Sequence, residues 1–146
     1  MSQTNFSGPL ASGDRAPGIT SPNIGLVYLS QTFLINRDAT LVQSNSINLP
    51  ASSQIVEIYA DTLTPYDSAT SATLTIGSAA AGTQYVTSVN AKTGGRNTTT
   101  HTAAQCTAMA NIGTNTALFG TVTSVGQPTA GQVRVTIQYV QTTSQD

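Results

Sequence analysis

Hydrophobic and polar residues alternate most regularly at the C-terminal end of the chain. Over 132–141, Val133, Val135, Ile137 and Tyr139 fall on one face, opposite Gln132, Arg134, Thr136 and Gln138. A period of two predicts a β-strand with one buried side. Residues 72–76 repeat the pattern, with Ala72, Leu74 and Ile76 opposite Thr73 and Thr75. Further strands are predicted over 54–62, 85–90 and 118–125, and over 41–49, where the alternation is looser and ends at Pro50. The apolar-rich run 24–35 predicts a buried strand or a bent pair. One segment, 102–110, reads as a helix: four Ala and Met109 favour it, and Thr102 is placed to cap it. About seven short strands separated by Gly, Pro, Ser and Asn turns predict an all-β domain, a sandwich or jelly roll, with at most one short helix. No repeat of fixed period is present, which argues against solenoids and propellers.

Residues 1–23 have a different texture. Ten of the 23 are Ser, Gly or Pro, and Pro9, Pro17 and Pro22 are too closely spaced for a helix. The chain is therefore divided into an extended N-terminal arm, 1–23, and a single β-sandwich domain, 24–146. Two readings of the arm stay open: a disordered tail, or an arm that orders on a partner with Phe6, Leu10 and Ile19 as apolar anchors.

Composition narrows the chemistry. The chain has 25 Thr, 15 Ser, 11 Gln and 9 Asn but only five Lys or Arg and six Asp or Glu. Its surface must therefore be built from hydroxyls and amides, and acid–base and metal-ligating groups are scarce. A formal charge of −1 argues against nucleic acid as a direct partner, and there is no polybasic cluster for an anionic membrane. No apolar run approaches the ~20 residues of a membrane span, and the N-terminus lacks the pattern of a secretory signal. The single cysteine, Cys106, excludes an intramolecular disulfide. Its small neighbours suggest a buried, inert thiol.

The candidate sites are few. His101, the one histidine, has no second His or Cys at metal spacing and reads as a solvated loop residue. Asp61 and Asp67 flank a segment that reads as a polar turn in preference to a calcium loop. The neighbours Asp14–Arg15 and Arg37–Asp38 suggest local or intersubunit pairs of small worth. The run Lys92-Thr93-Gly94-Gly95-Arg96-Asn97 lacks the Gly-Lys-Ser/Thr ending of a phosphate loop. It reads as a glycine-opened turn presenting Lys92 and Arg96 to an acidic spot on another protein. No catalytic residue, metal ligand or cofactor site is assigned, and the chain is expected not to be an enzyme. A glycan-binding module remains an alternative; the absence of Trp disfavours it, although Tyr28, Tyr59, Tyr66, Tyr85 and Tyr139 are available.

Several segments carry a resemblance: ATLTIG (72–77), AGTQY (81–85), KTGGR (92–96), TAAQCTAMANIG (102–113) and AGQVRVTIQYVQ (130–141), after SGPLASGDRAP and NIGLVYLSQT near the start. In this order they resemble the capsid decoration, or cement, proteins of tailed bacteriophages. The resemblance implies a compact β-sandwich or jelly roll on the outer surface of the virion, made in the host cytoplasm. It also implies binding to the major capsid protein, commonly as a homotrimer, and stabilisation of the capsid by bridging capsomers. Another phage component, such as a head-fibre base, a tail protein or an adaptor, is the alternative in the same class. The contact residues expected are Phe6, Leu10, Ile19, Lys92 and Arg96.

Overall fold

A computed structural model describes residues 11–12, 25–97 and 99–141. A short antiparallel pair, β1 (Ala11–Ser12) and β2 (Gly25–Leu26), precedes the body in the chain. The body comprises β3 (Leu29–Asn36), β4 (Val42–Leu49), β5 (Ser53–Thr64), β6 (Ser71–Gly77), β7 (Val86–Asn90), β8 (Gly95–Asn97), helix α1 (Ala103–Ala110), β9 (Thr116–Val125) and β10 (Gln132–Gln141). Two four-stranded antiparallel sheets form, in the orders β3-β10-β5-β8 and β4-β9-β6-β7. Counted from β3, these are first-eighth-third-sixth and second-seventh-fourth-fifth. That is the connectivity of a jelly roll, in which successive strands fold over between two sheets.

The inner faces interdigitate as the alternation predicts. Val133, Val135, Ile137 and Tyr139 of β10 meet Ala72, Leu74 and Ile76 of β6 and Leu118 and Val122 of β9 in one buried cluster. Gly120 in β9 is required for this packing. A Cβ there would lie 2.8 Å from the Phe33 ring and 3.0 Å from Ile35, so the glycine lets the two sheets approach. Strand β5 carries two irregularities against β10. Its pairing skips Leu63 at one end and Val56 at the other, so each is an extra, bulged residue. Both are exposed aliphatic side chains.

Open sheet edges invite pairing with other chains, and proteins commonly protect them with charge. Here amides do it. Along the side where β3 and β4 adjoin, Gln31 Nε2 donates to the Asn48 carbonyl (3.2 Å) and Asn45 Nδ2 to the Leu34 carbonyl (2.8 Å). The other edge is blunted by the brevity of β8 and by α1. Thr102 caps that helix in a reciprocal box with Gln105, and Gln105 Nε2 also donates to the Thr83 carbonyl and the Thr87 hydroxyl. Met109, one turn on, enters the core.

Some sequence expectations need correction. The 24–35 run is not one buried strand: β2 ends at Leu26, exposed Val27 and Tyr28 follow, and β3 is an edge strand of which Phe33 and Ile35 are buried. Asp61 lies within β5, as the strand predicted over 54–62 has it, but that strand runs on to Thr64, into the segment read as a turn. Cys106 is exposed, because α1 turns Gln105 and Met109 inward and the adjacent position therefore faces solvent. His101 is not solvated: its side chain is 15% exposed, and Nδ1 lies 3.0 Å from the Tyr85 carbonyl. Arg37 makes no direct ion pair with Asp38, though its charge contributes last and least to lowering the Asp38 carboxyl; its Nε donates to the Pro128 carbonyl. Asp14 and Arg15 lie outside the described residues.

Candidate functional site

The charged residues of the described chain concentrate on the outer face of the β3-β10-β5-β8 sheet. Register brings them together: Arg134 of β10 is opposite Asp61 of β5, and Asp61 is opposite Arg96 of β8. Asp61 Oδ1 accepts from Arg96 Nε (2.7 Å), and Oδ2 from Arg96 Nη2 (3.2 Å) and Arg134 Nη2 (3.0 Å). The Asp61 side chain is 9% exposed, whereas Arg96 is 59% exposed. The hydrogen bond from Arg96, with that from Arg134, outweighs desolvation and holds the Asp61 carboxyl below the ordinary range. The same bond raises the Arg96 guanidinium. Arg96 also covers the Tyr59 ring, with its central carbon 4.5 Å from the centroid.

Beside this cluster β8 stops at Asn97, and the edge of β5 is left without a strand partner over Glu57–Tyr59. Side chains take the place of the missing strand. The Ile58 amide donates to Glu57 Oε1 (3.2 Å), and the Ile58 carbonyl accepts from the Thr99 hydroxyl (2.9 Å). A shallow cleft of about 240 Å³ results, lined by Glu57, Ile58, Tyr59, Arg96, Asn97 and Thr99. The bulge at Val56 immediately precedes Glu57 and sets the direction of its carboxylate. His101 Nε2 is buried without a hydrogen-bond partner, 3.9 Å from Glu57 Oε1.

The predicted contact residues separate. Phe6, Leu10 and Ile19, with nearly all of the 1–23 arm, lie outside the described residues. Lys92 and Arg96 do not form a free positive loop. Lys92 Nζ donates to the Ser68 carbonyl, and Arg96 belongs to β8 and is bound to Asp61. Glu57, Thr99 and His101 were not foreseen as site members. The signal available was that Glu57 is the sole glutamate, set in an otherwise apolar run. Of the tyrosines, Tyr66, Tyr85 and Tyr139 are buried, which leaves Tyr59 and Tyr28 accessible.

All eight described charged side chains are hydrogen-bonded within the chain. Besides those above, Asp38 accepts from the Thr40 amide and hydroxyl and from Gln43. Asp67 accepts from the Thr129 hydroxyl and from the Thr129 and Ala130 amides. These bonds, the Thr129 hydroxyl foremost, bring the Asp67 carboxyl down to about 2. Among the described residues no group of three or more His, Cys, Asp or Glu is placed to hold a metal ion. No described helix is long and apolar enough to cross a membrane. Comparison with protein-family models, curated proteins and solved structures finds no match to the chain.

Proposed function

We propose that the chain is a structural protein of a tailed-phage virion that binds the outer capsid surface as a homotrimer and stabilises it by bridging capsomers. One observation carries the reading beyond the sequence resemblance: every described charged side chain is already committed to a partner within the fold. What the sandwich offers to another protein is therefore largely uncharged: Thr, Ser, Gln and Asn with aliphatic side chains between them, and few exposed charges, of which Arg96, Arg134 and Glu57 lie together on one face. Such a surface suits contact by area and multiplicity, and linked copies gain avidity without new kinds of contact. Jelly rolls also serve as lectins and enzymes, so the fold alone does not select this role.

The test is co-sedimentation of the purified protein with phage heads that lack it, at low and at molar salt. Binding that persists at molar salt is expected, because contacts between neutral groups are little screened. A truncated protein beginning at Ile24 should fold but bind more weakly, each lost anchor that is buried on docking costing about 1.5–3 kcal/mol. Absence of binding by the full-length chain would overturn the proposal. Binding abolished by salt would overturn the neutral interface.

A further inference from the structure

The cleft at the open edge of β5 has the chemistry of a binding site for an uncharged, hydroxyl-rich ring, and we infer that it binds a single pyranose unit of a glycan. The inference is independent of capsid binding. Charge comes first. Glu57 and Asp61 are balanced by Arg96 and Arg134, so the site has no net charge to attract an anion or a cation.

The hydrogen-bonding groups come second. Arg96 spends Nε and Nη2 on Asp61, which leaves Nη1 without a partner among the described residues. The Tyr59 hydroxyl and Glu57 Oε2 have no hydrogen-bond partner there either, whereas the Asn97 amide is turned to the other face of the sheet, where Nδ2 donates to the Thr62 hydroxyl (2.9 Å). The cleft thus offers acceptors and donors side by side, an arrangement matched by neighbouring hydroxyls, each of which donates and accepts.

Size and shape come third. Sites for drug-sized ligands run from about 300 to 1,000 Å³, and this cleft is smaller, with room for one ring. Tyr59 lines the cleft beneath Arg96, whose guanidinium covers one face of the ring, so a sugar would meet the ring edge and the guanidinium plane. The fourth point is the buried, unpartnered His101 Nε2 behind Glu57, an unmet polar atom of the kind that calls for an explanation. A ligand that draws Glu57 off the Ile58 amide frees the carboxylate to turn toward it.

The probes are N-acetylglucosamine, methyl α-glucopyranoside and methyl β-galactopyranoside, titrated into the full-length protein and followed by amide NMR. Inorganic phosphate and acetate serve as anion controls. At least one sugar should shift the amides of Glu57, Ile58, Tyr59, Arg96 and Asn97 with millimolar affinity, as expected for one ring in an open cleft. Glu57→Gln, which keeps the shape, should weaken binding about tenfold, equivalent to about 1.4 kcal/mol. Tyr59→Ala should abolish it, with the core resonances unchanged in both variants. The inference fails if none of the three sugars moves these amides. It also fails if phosphate or acetate moves them equally, or if binding survives both substitutions. Because no capsid is present, these outcomes are separate from the fate of the capsid proposal.

Discussion

Replacing Tyr66 by Phe should stabilise the protein, against the usual direction of core substitutions. The Tyr66 side chain is 1% exposed, and a Cβ at Gly131 would lie 2.6 Å from its ring carbons, so the ring is clamped against backbone. Its hydroxyl is buried with no hydrogen-bond partner among the described residues. Burying such a group unpaired costs about 1–3 kcal/mol in protein mutational data. Removing one oxygen leaves a small gap that offsets part of the gain, so a net stabilisation of about 1 kcal/mol is expected at pH 7. The same burial, with a contribution from the Asp38 charge, pushes the Tyr66 phenol up from 10.0 to about 12. A raised phenol means that the unfolded chain ionises first, so the fold loses stability as pH rises from 10 towards 12. At pH 11 that loss amounts to about 1.4 kcal/mol in the wild type and is absent from the Phe variant. Urea denaturation followed by circular dichroism at pH 7, 9 and 11 measures both effects. The stability gap should favour Phe at pH 7 and widen by pH 11. A Phe variant less stable than wild type at pH 7, or a gap that stays constant with pH, would show that the hydroxyl is satisfied and refute the reasoning.

Three further outcomes are expected. Gly120→Ala should destabilise the fold by about 1–3 kcal/mol, because the new methyl group overpacks against Phe33 and Ile35, and thermal melting would show it. In acid, the lowered carboxyls of Asp38, Asp61 and Asp67 give stability that is complete above their unfolded values near 3.8 and is lost as pH falls through their folded values, about 2 for Asp67. Denaturation midpoints should therefore hold level down to about pH 4 and fall from there to about 2; a flat profile down to pH 2 would contradict these bonds. Cys106 should react with Ellman's reagent to one equivalent in the native protein, and protection that is lifted only by denaturant would contradict its exposure.

The sandwich was legible because its core strands carry their own period. Strand β10 spans the residues the alternation predicts, and Thr102 begins the helix it was expected to cap. What stayed hidden depends on pairing between distant segments. In β5, Ile55 and Ile58 both face the core, which no uninterrupted period of two allows. The bulge that shifts the phase is a property of the fit to β10. Strand β8, three residues long, exists because Asp61 and Arg96, 35 positions apart, meet across the sheet. By sequence alone Gly94, Gly95 and the basic residues read as a turn. The cleft was hidden for the same reason: Arg96 was noticed as a charge, while Glu57, Thr99 and His101 acquire meaning only where β8 ends.

The amides that join β3 to β4 set a chemical clock on the molecule. An asparagine side chain hydrolyses slowly to a carboxylate, and a carboxylate has no N–H to donate. At Asn45 that conversion would exchange a bond to the Leu34 carbonyl for repulsion between two oxygens, and it would place an anion on an edge that had none. Hydroxyls and amides thus protect this edge without regard to salt, but only while the amides last. An aged preparation should lose its β3–β4 clasp before its core loosens, while the new carboxylate, by its charge, keeps the loosened edge from pairing with other chains.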